Sequence, residues 1–224
     1  MARVRERKND ISFNVQLSDE QKEAKANILT HPINVIIGAA GCGKTLLSSQ
    51  IALDAFFTGV CDQIIVTRST VTAEAGGIGF LPGMLSDKMD PLLQGIYQNF
   101  FKLYGDSEAK RNKIKKHIES GEIKIIPIAY MRSITFDNAY VIVDEMQNLT
   151  KSQFELAVGR LGKTSKLMFT GSRDQIDLPK KSTSAIHLLD RISPSKYVYI
   201  VELLKNHRHP AVEDVLNLLS EDAQ

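Results

Sequence analysis

The sequence predicts an α/β fold, a three-layer αβα sandwich around a mostly parallel sheet. Three observations carry this. Short β-rich runs alternate with helical stretches, as strand–helix–strand units do. Two runs, Asn34-Val35-Ile36-Ile37 and Val141-Ile142-Val143, are almost continuously apolar, as strands covered on both faces must be. A glycine-rich run over 38–45 falls between a predicted strand and a predicted helix.

Taken in order, 18–29 reads as a helix opened by Ser18, with Gln21 three residues on at capping-box spacing. A strand follows at 33–37. The stretch 45–57 is a helix, with Leu46, Leu47, Ile51, Ala52 and Ala55 at helical spacing, and 63–67 is a second strand. Residues 75–88 are rich in glycine and broken by Pro82, so they read as a loop with special backbone angles. Helices are predicted at 91–104 and 108–120, strands at 122–127, 139–144 and 166–170, and a helix at 183–191. A last strand at 197–203 and a helix at 210–219 close the chain. The section 75–120 interrupts the alternation and reads as an insertion carrying a partner-specific surface. The expected organisation is an N-terminal tail, 1–17, and one domain, 18–224.

Composition narrows the classes. The 224 residues are 43% hydrophobic, enough for a core, and the net charge of +2 does not announce a nucleic-acid binder. Cys42 and Cys61 cannot build a disulfide framework, so a reducing cytoplasm is the expected location. No apolar run approaches the ~20 residues of a membrane span. Residues 1–10 are charged, with Arg3, Arg5, Arg7 and Lys8, and read as a solvated tail rather than a secretory signal.

The run Gly38-Ala39-Ala40-Gly41-Cys42-Gly43-Lys44-Thr45 matches G-x-x-x-x-G-K-[ST] at every fixed position. Glycines let a backbone wrap a phosphate with its N–H groups inward, and the helix that follows presents its positive end. Lys44 is expected to reach the β- and γ-phosphates of ATP, and Thr45 to give its hydroxyl to Mg²⁺. Cys42, close to Lys44 and a helix N-terminus, is expected to be a reactive thiol that nucleotide protects. At the end of the 139–144 strand stand Asp144 and Glu145. Strand ends in such sheets face the ligand, so Asp144 is read as a Mg²⁺ ligand and Glu145 as the group that polarises the attacking water. The stretch 169–179, Phe-Thr-Gly-Ser-Arg-Asp-Gln-Ile-Asp-Leu-Pro, also follows a strand. Its Gln175 can bond a γ-phosphate without adding charge, although an ordinary surface loop has the same composition. Lys110, Arg111, Lys113, Lys115, Lys116 and His117 form a basic helix face, either solvated or tracking a nucleic-acid backbone.

These motifs resemble those of the PhoH-like ATPases, a family related to superfamily 1 helicases. Gly79-Phe80-Leu81-Pro82-Gly83, with Lys88 and Pro91, resembles the family's G-F-L-P-G stretch. Ile64-Ile65-Val66-Thr67-Arg68 is similar to its strand ending in Thr-Arg. Val143-Asp144-Glu145-Met146-Gln147-Asn148 resembles D-E-A-Q-N, with Met146 where alanine is usual. Gln175-Ile176-Asp177-Leu178-Pro179 matches the end of G-D-x-x-Q-I-D-L-P, with Ser172 in place of the aspartate. The resemblance implies a RecA-like P-loop NTPase fold and further roles. Gln21 resembles a glutamine that reads the adenine edge, beside its reading as a helix cap. Gln175 resembles a γ-phosphate sensor. Leu203-Leu204-Lys205-Asn206-His207-Arg208 is similar to a segment whose arginine, here Arg208, touches the γ-phosphate. His207 and His209 lack any further ligand pattern for a metal.

The expected function is Mg²⁺-dependent ATP hydrolysis, with single-stranded RNA or DNA as coupled partner and no membrane. With one P-loop in the chain, a homo-oligomer is expected, in a ring such as a hexamer, with Arg208 acting in cis or in trans. Two other readings stay open: a nucleotide or small-molecule kinase, and a non-hydrolysing scaffold that binds nucleotide to hold an oligomer together.

Overall fold

A computed structural model describes residues 13–68, 97–105 and 107–221. The strands are β1 (Ile33–Gly38), β2 (Gln63–Arg68), β3 (Ile123–Ile125), β4 (Ala139–Asp144), β5 (Lys166–Gly171) and β6 (Val198–Leu203). They form one six-stranded sheet in the order β3-β2-β4-β5-β1-β6. Every neighbouring pair is parallel. Parallel neighbours cannot be joined by tight turns, so the chain crosses over between them. It leaves β1 toward β2 on one side and later reaches β6 on the other, and the carboxyl end of β1 lies where these connections diverge.

The helices are α1 (Asp19–Thr30), α2 (Lys44–Phe57), α3 (Glu108–Glu119), α4 (Lys151–Val158), α5 (Leu189–Ile192) and α6 (Pro210–Glu221). Residues 97–104 are also helical. Alternate strand residues point to opposite faces, which divides the core in two. On one face Ile36, Ile64, Val66, Ile142 and Met168 meet Ala24 and Ile28 of α1, Leu47 and Ile51 of α2, Phe100, Leu103, and Ile114 of α3. On the other Val35, Ile37, Val141, Val143 and Phe169 meet Phe154 and Ala157 of α4, with Ile186 and Leu189. The sheet thus lies between two layers, as the alternation predicts. Phe13, Val15 and Leu17 pack against the first core. No helix among the described residues is long and apolar enough to cross a membrane.

Three elements differ from the expectation. Helix α4 is not foreseen, although Thr150 and Gln153 form a complete capping box at its start. The stretch predicted as a helix over 183–191 is instead two 3₁₀ turns, Lys181–Thr183 and Ala185–Leu188, and the single turn of α5. Ser184 is the reason: its hydroxyl donates to the Gln147 carbonyl at 2.6 Å and accepts from Ile186 N at 3.2 Å, and such local bonds compete with a helix. Strand β3 is shorter than predicted and stops before Pro127. The G-F-L-P-G stretch, Lys88 and Pro91 lie outside the described residues.

Candidate functional site

The phosphate loop turns on glycines in left-handed backbone, Gly41 at φ 94° and Gly43 at φ 85°. Gly43 is the N-cap of α2, and no side chain bonds the first N–H groups of that helix. In contrast Ser18, Ser107 and Thr150 cap α1, α3 and α4. A helix start holds four orphan donors, and α2 keeps them for a ligand at its positive end. Lys44 lies over the mouth of the loop, where Nζ donates to the carbonyls of Gly38 at 2.8 Å and Ala39 at 2.9 Å. Cys42 corrects an expectation: it is 1% exposed, among core side chains, so a thiol reagent does not reach it in the folded chain.

Gln21 is also buried, and its amide is spent on both sides. Its oxygen accepts from Ser18 N at 3.1 Å, completing the capping box of α1. Its nitrogen donates to the Cys42 carbonyl at 3.1 Å. A Cβ at position 43 would lie 2.5 Å from that nitrogen, so the glycine also makes room for Gln21.

Strand β4 delivers the two acids to the same edge. Asp144 is 5% exposed. Its Oδ1 accepts the Thr45 hydroxyl at 3.0 Å and also the Thr170 hydroxyl from the end of β5. This tests the fit for Mg²⁺. A buried carboxylate beside a threonine hydroxyl is a pair of oxygen donors, the kind that suits a hard cation. Among the described residues no group of three His, Cys, Asp or Glu could hold a metal. Mg²⁺ takes one or two protein ligands and completes its shell with phosphate and water.

Glu145 breaks the strand, at φ 57° and ψ 48°, a conformation that non-glycine residues adopt mainly under constraint. Arg68, at the end of β2, reaches its Oε1 at 3.4 Å, and Gln147 donates to its Oε2. The loop after β5 is tied to the same turn. Asn148 and Asp177 exchange two hydrogen bonds, at 2.9 and 2.8 Å, and Ser172 N donates to Gln147 Oε1 at 3.0 Å. Ser172 is buried at 2%. Gln175 is exposed and, with Arg68, Glu145, Asp174, Asp177 and Lys181, lines a polar cleft of about 490 Å³. Sequence reasoning quoted Arg68, Gln147 and Thr170 without giving them roles. The signal available was the place of Arg68 and Thr170 at strand ends and of Gln147 in the turn after β4, where polar side chains face either a ligand or one another.

Arg208 lies against the phosphate loop of its own chain. Glu20 of α1 accepts from Leu204 N at 2.7 Å and Lys205 N at 3.3 Å, which fixes the segment after β6. His207 N then donates to the Gly41 carbonyl at 3.1 Å. A Cβ at position 41 would lie 2.5 Å from Arg208 Cγ, so this glycine lets the arginine stem cross the loop. The basic helix α3 is elsewhere. Lys113 lies over the Phe57 ring at 4.9 Å and His117 packs against Phe56 and Phe57, at the end of α2 remote from the loop. Helix α2 has 14 residues. At 1.5 Å per residue it puts roughly 20 Å between the two places.

A parallel α/β sheet with a complete phosphate loop at the end of β1 and two acids at the end of β4 defines a P-loop nucleotide-binding protein. The profile described as PhoH-like protein matches residues 15–220, and the chain belongs to the PhoH-like family. It is 39% identical over 173 residues to a PhoH-like protein of Synechocystis sp., covering 77% of this chain and 51% of that one. It is 38% identical over 200 residues to a PhoH-like protein of Bacillus subtilis, covering 88% and 60%. The chain therefore spans between half and three fifths of these curated relatives. The large terminase of the thermophilic bacteriophage D6E shares the fold, with a TM-score of 0.51 and 13% identity over 84% of this chain and 46% of that one.

Proposed function

We propose that this chain binds ATP with Mg²⁺ and hydrolyses it, by in-line attack of water on the γ-phosphate. The observation that carries the proposal is the bond from Thr45 to Asp144, which joins the phosphate loop to the acidic strand end at 3.0 Å. Residues 38–45 and the uncapped start of α2 bind the phosphates. Lys44 exchanges two loop carbonyls for phosphate oxygens. Thr45 and Asp144 hold Mg²⁺, which neutralises charge on the phosphates when bound. Glu145 accepts a proton from the attacking water as its oxygen bonds to phosphorus. The bond to the bridging oxygen breaks, and ADP and phosphate leave. Gln175 and Arg208 contact the γ-phosphate, and the close approach of Arg208 to Gly41 supports a role in cis. Gln21 braces the loop from beneath, since both ends of its amide are engaged by the backbone.

The likeness of the motifs to superfamily 1 helicases extends the proposal to single-stranded RNA or DNA as coupled partner and to a homo-oligomeric assembly. The test is Glu145→Gln. The variant is expected to bind ATP as the parent does and to lose about 10²–10⁴-fold in turnover, the usual contribution of a general base. Turnover at the parent rate would overturn the reading. The parent assayed with and without RNA and single-stranded DNA, at two salt concentrations, tests the coupled partner.

A further inference from the structure

Both oxygens of the Glu145 carboxylate are held by the chain, and the two holds differ in kind. Arg68 reaches Oε1 at a long 3.4 Å, and its side chain is 39% exposed along the cleft. Gln147 holds Oε2 from a fully buried position. Its amide is fixed at the other end as well, because Oε1 accepts from Ser172 N at 3.0 Å. Its backbone carbonyl accepts the Ser184 hydroxyl at 2.6 Å. The pocket for this amide is built with little slack. A Cβ at position 171 would lie 2.7 Å from Met146 Cγ and 3.0 Å from Gln147 Oε1, so a side chain at the end of β5 would crowd both.

We infer that Gln147 is the positioning residue of Glu145, and that it links the carboxylate to the loop that carries Gln175. The inference rests on the reading of Glu145 as the group that takes the proton from water. A carboxylate on a left-handed turn has no regular secondary structure to aim it, so its direction comes from whatever bonds it makes. Gln147 donates to Oε2 and Arg68 to Oε1, so the buried amide fixes the direction in which the carboxylate points. The same amide accepts from the first loop residue after β5. A shift of the 172–177 loop as Gln175 meets a γ-phosphate therefore moves the Gln147 amide, and with it the carboxylate. Gln147 is 0% exposed. It acts through Glu145.

The test uses the full chain with two substitutions. Gln147→Met keeps the volume and removes the donor. It is expected to lower kcat by about 10–100-fold, as removal of an orienting outer partner does. Affinity for a fluorescent ADP analogue is expected to stay unchanged. Gln147→Glu keeps the shape and puts an acceptor where the donor was, and is expected to lower kcat at least as far, again with ADP-analogue affinity kept. Gln147→Glu decides the matter if Gln147→Met fails to fold. A folded variant of either kind with the parent's kcat would overturn the inference, and Gln147 would then be a strut between β4 and β5. Glu145→Gln measured alongside separates the cases. If it is inactive while the Gln147 variants match the parent, only this inference fails. If it is active, the reading of Glu145 fails and takes this one with it.

Discussion

Lys44 and Lys166 stand at opposite edges of one sheet and spend their ammonium groups in the same way, on backbone carbonyls. Lys44 donates to Gly38 and Ala39 at 2.8 and 2.9 Å, half-buried, at the mouth of a loop. Lys166 donates to Ile28 at 2.8 Å, to Leu29 at 3.2 Å and to His31, closing the C-terminal end of α1. It is 7% exposed, and burial pushes its ammonium down to about 8. The difference lies in what else could reach each charge. At the amino edge of the sheet the polar groups are sealed in. Beside Lys166, the Ser165 hydroxyl bridges the Phe136 carbonyl and Ala139 N at 2.6 and 3.0 Å. At the carboxyl edge Asp144 is buried too, but Lys44 and Glu145 are half-buried and Gln175 and Arg208 exposed, so a better partner can reach them. Chemistry of residue type alone does not separate the two lysines; access does.

The contrast breaks most readily at Arg208, which is exposed and belongs wholly to the open edge. Arg208→Ala is expected to lose about 10³–10⁵ in turnover, the effect of an arginine on a transferring phosphoryl group, with an unchanged melting temperature. Mixing Lys44→Ala subunits with Arg208→Ala subunits, under conditions of exchange, should restore nothing if the arginine serves its own chain. Recovered activity would move Arg208 to a neighbour's site.

Exchanging the roles of the lysines sharpens the contrast. Lys44→Ala should abolish nucleotide-dependent turnover and leave thermal unfolding close to the parent's. Lys166→Met should do the reverse. It strips the acceptors at the end of α1 of a charged donor, at a cost of about 1.5–3 kcal/mol. Melting temperature should fall by about 2–4 °C per kcal/mol, with kcat at room temperature kept. A Lys166→Met protein as stable as the parent would show that the sealed edge needs no cation.

The same lysine also makes stability depend on pH. Lys166 titrates at about 8 when folded, against an ordinary value of 10.5. Below about 8 both states are charged and the cost of burying the charge is present in full. Above it the unfolded chain binds the proton more readily, so the Lys166 contribution to stability rises with pH until the unfolded value is passed. The slope is at most about 1.4 kcal/mol per pH unit. Denaturant unfolding of parent and Lys166→Met across this window should differ by that rise, and parallel curves would refute it. The least effect is expected at α3. Neutralising exposed Lys115 and Lys116 should leave basal ATPase intact, because the helix lies at the far end of α2. Any loss of RNA affinity should come with a flatter salt dependence.

Much of this was legible in the chain. The strands at 33–37, 63–67, 139–144 and 166–170 each fall within a residue or so of β1, β2, β4 and β5, because buried parallel strands are apolar throughout. The loop at 38–45 and the acids Asp144 and Glu145 are read from local motifs. Helix α4 was missed because its eight residues give little periodicity, and only the Thr150–Gln153 cap announced it. The partners of Glu145 were missed for a different reason. Arg68 is brought to Glu145 only by the pairing of β2 with β4, and Gln147 only by the turn after β4, while Ser172 joins through Gln147 once β5 lies beside β4. Cys42 misled because sequence shows its neighbours along the chain and not the side to which it points.

The Gln21 amide has one more consequence. It completes the cap of α1 and donates to the Cys42 carbonyl, while His207 N donates to that of Gly41. Fixing the backbone of a loose loop costs about 1–2 kcal/mol per residue. Here much of that entropy is surrendered when the chain folds, before any phosphate arrives. The free energy of phosphate contact then goes into affinity rather than into ordering the loop. A change at Ser18, some distance from any nucleotide, would loosen this grip and should register as weaker binding before it registers as a less stable helix.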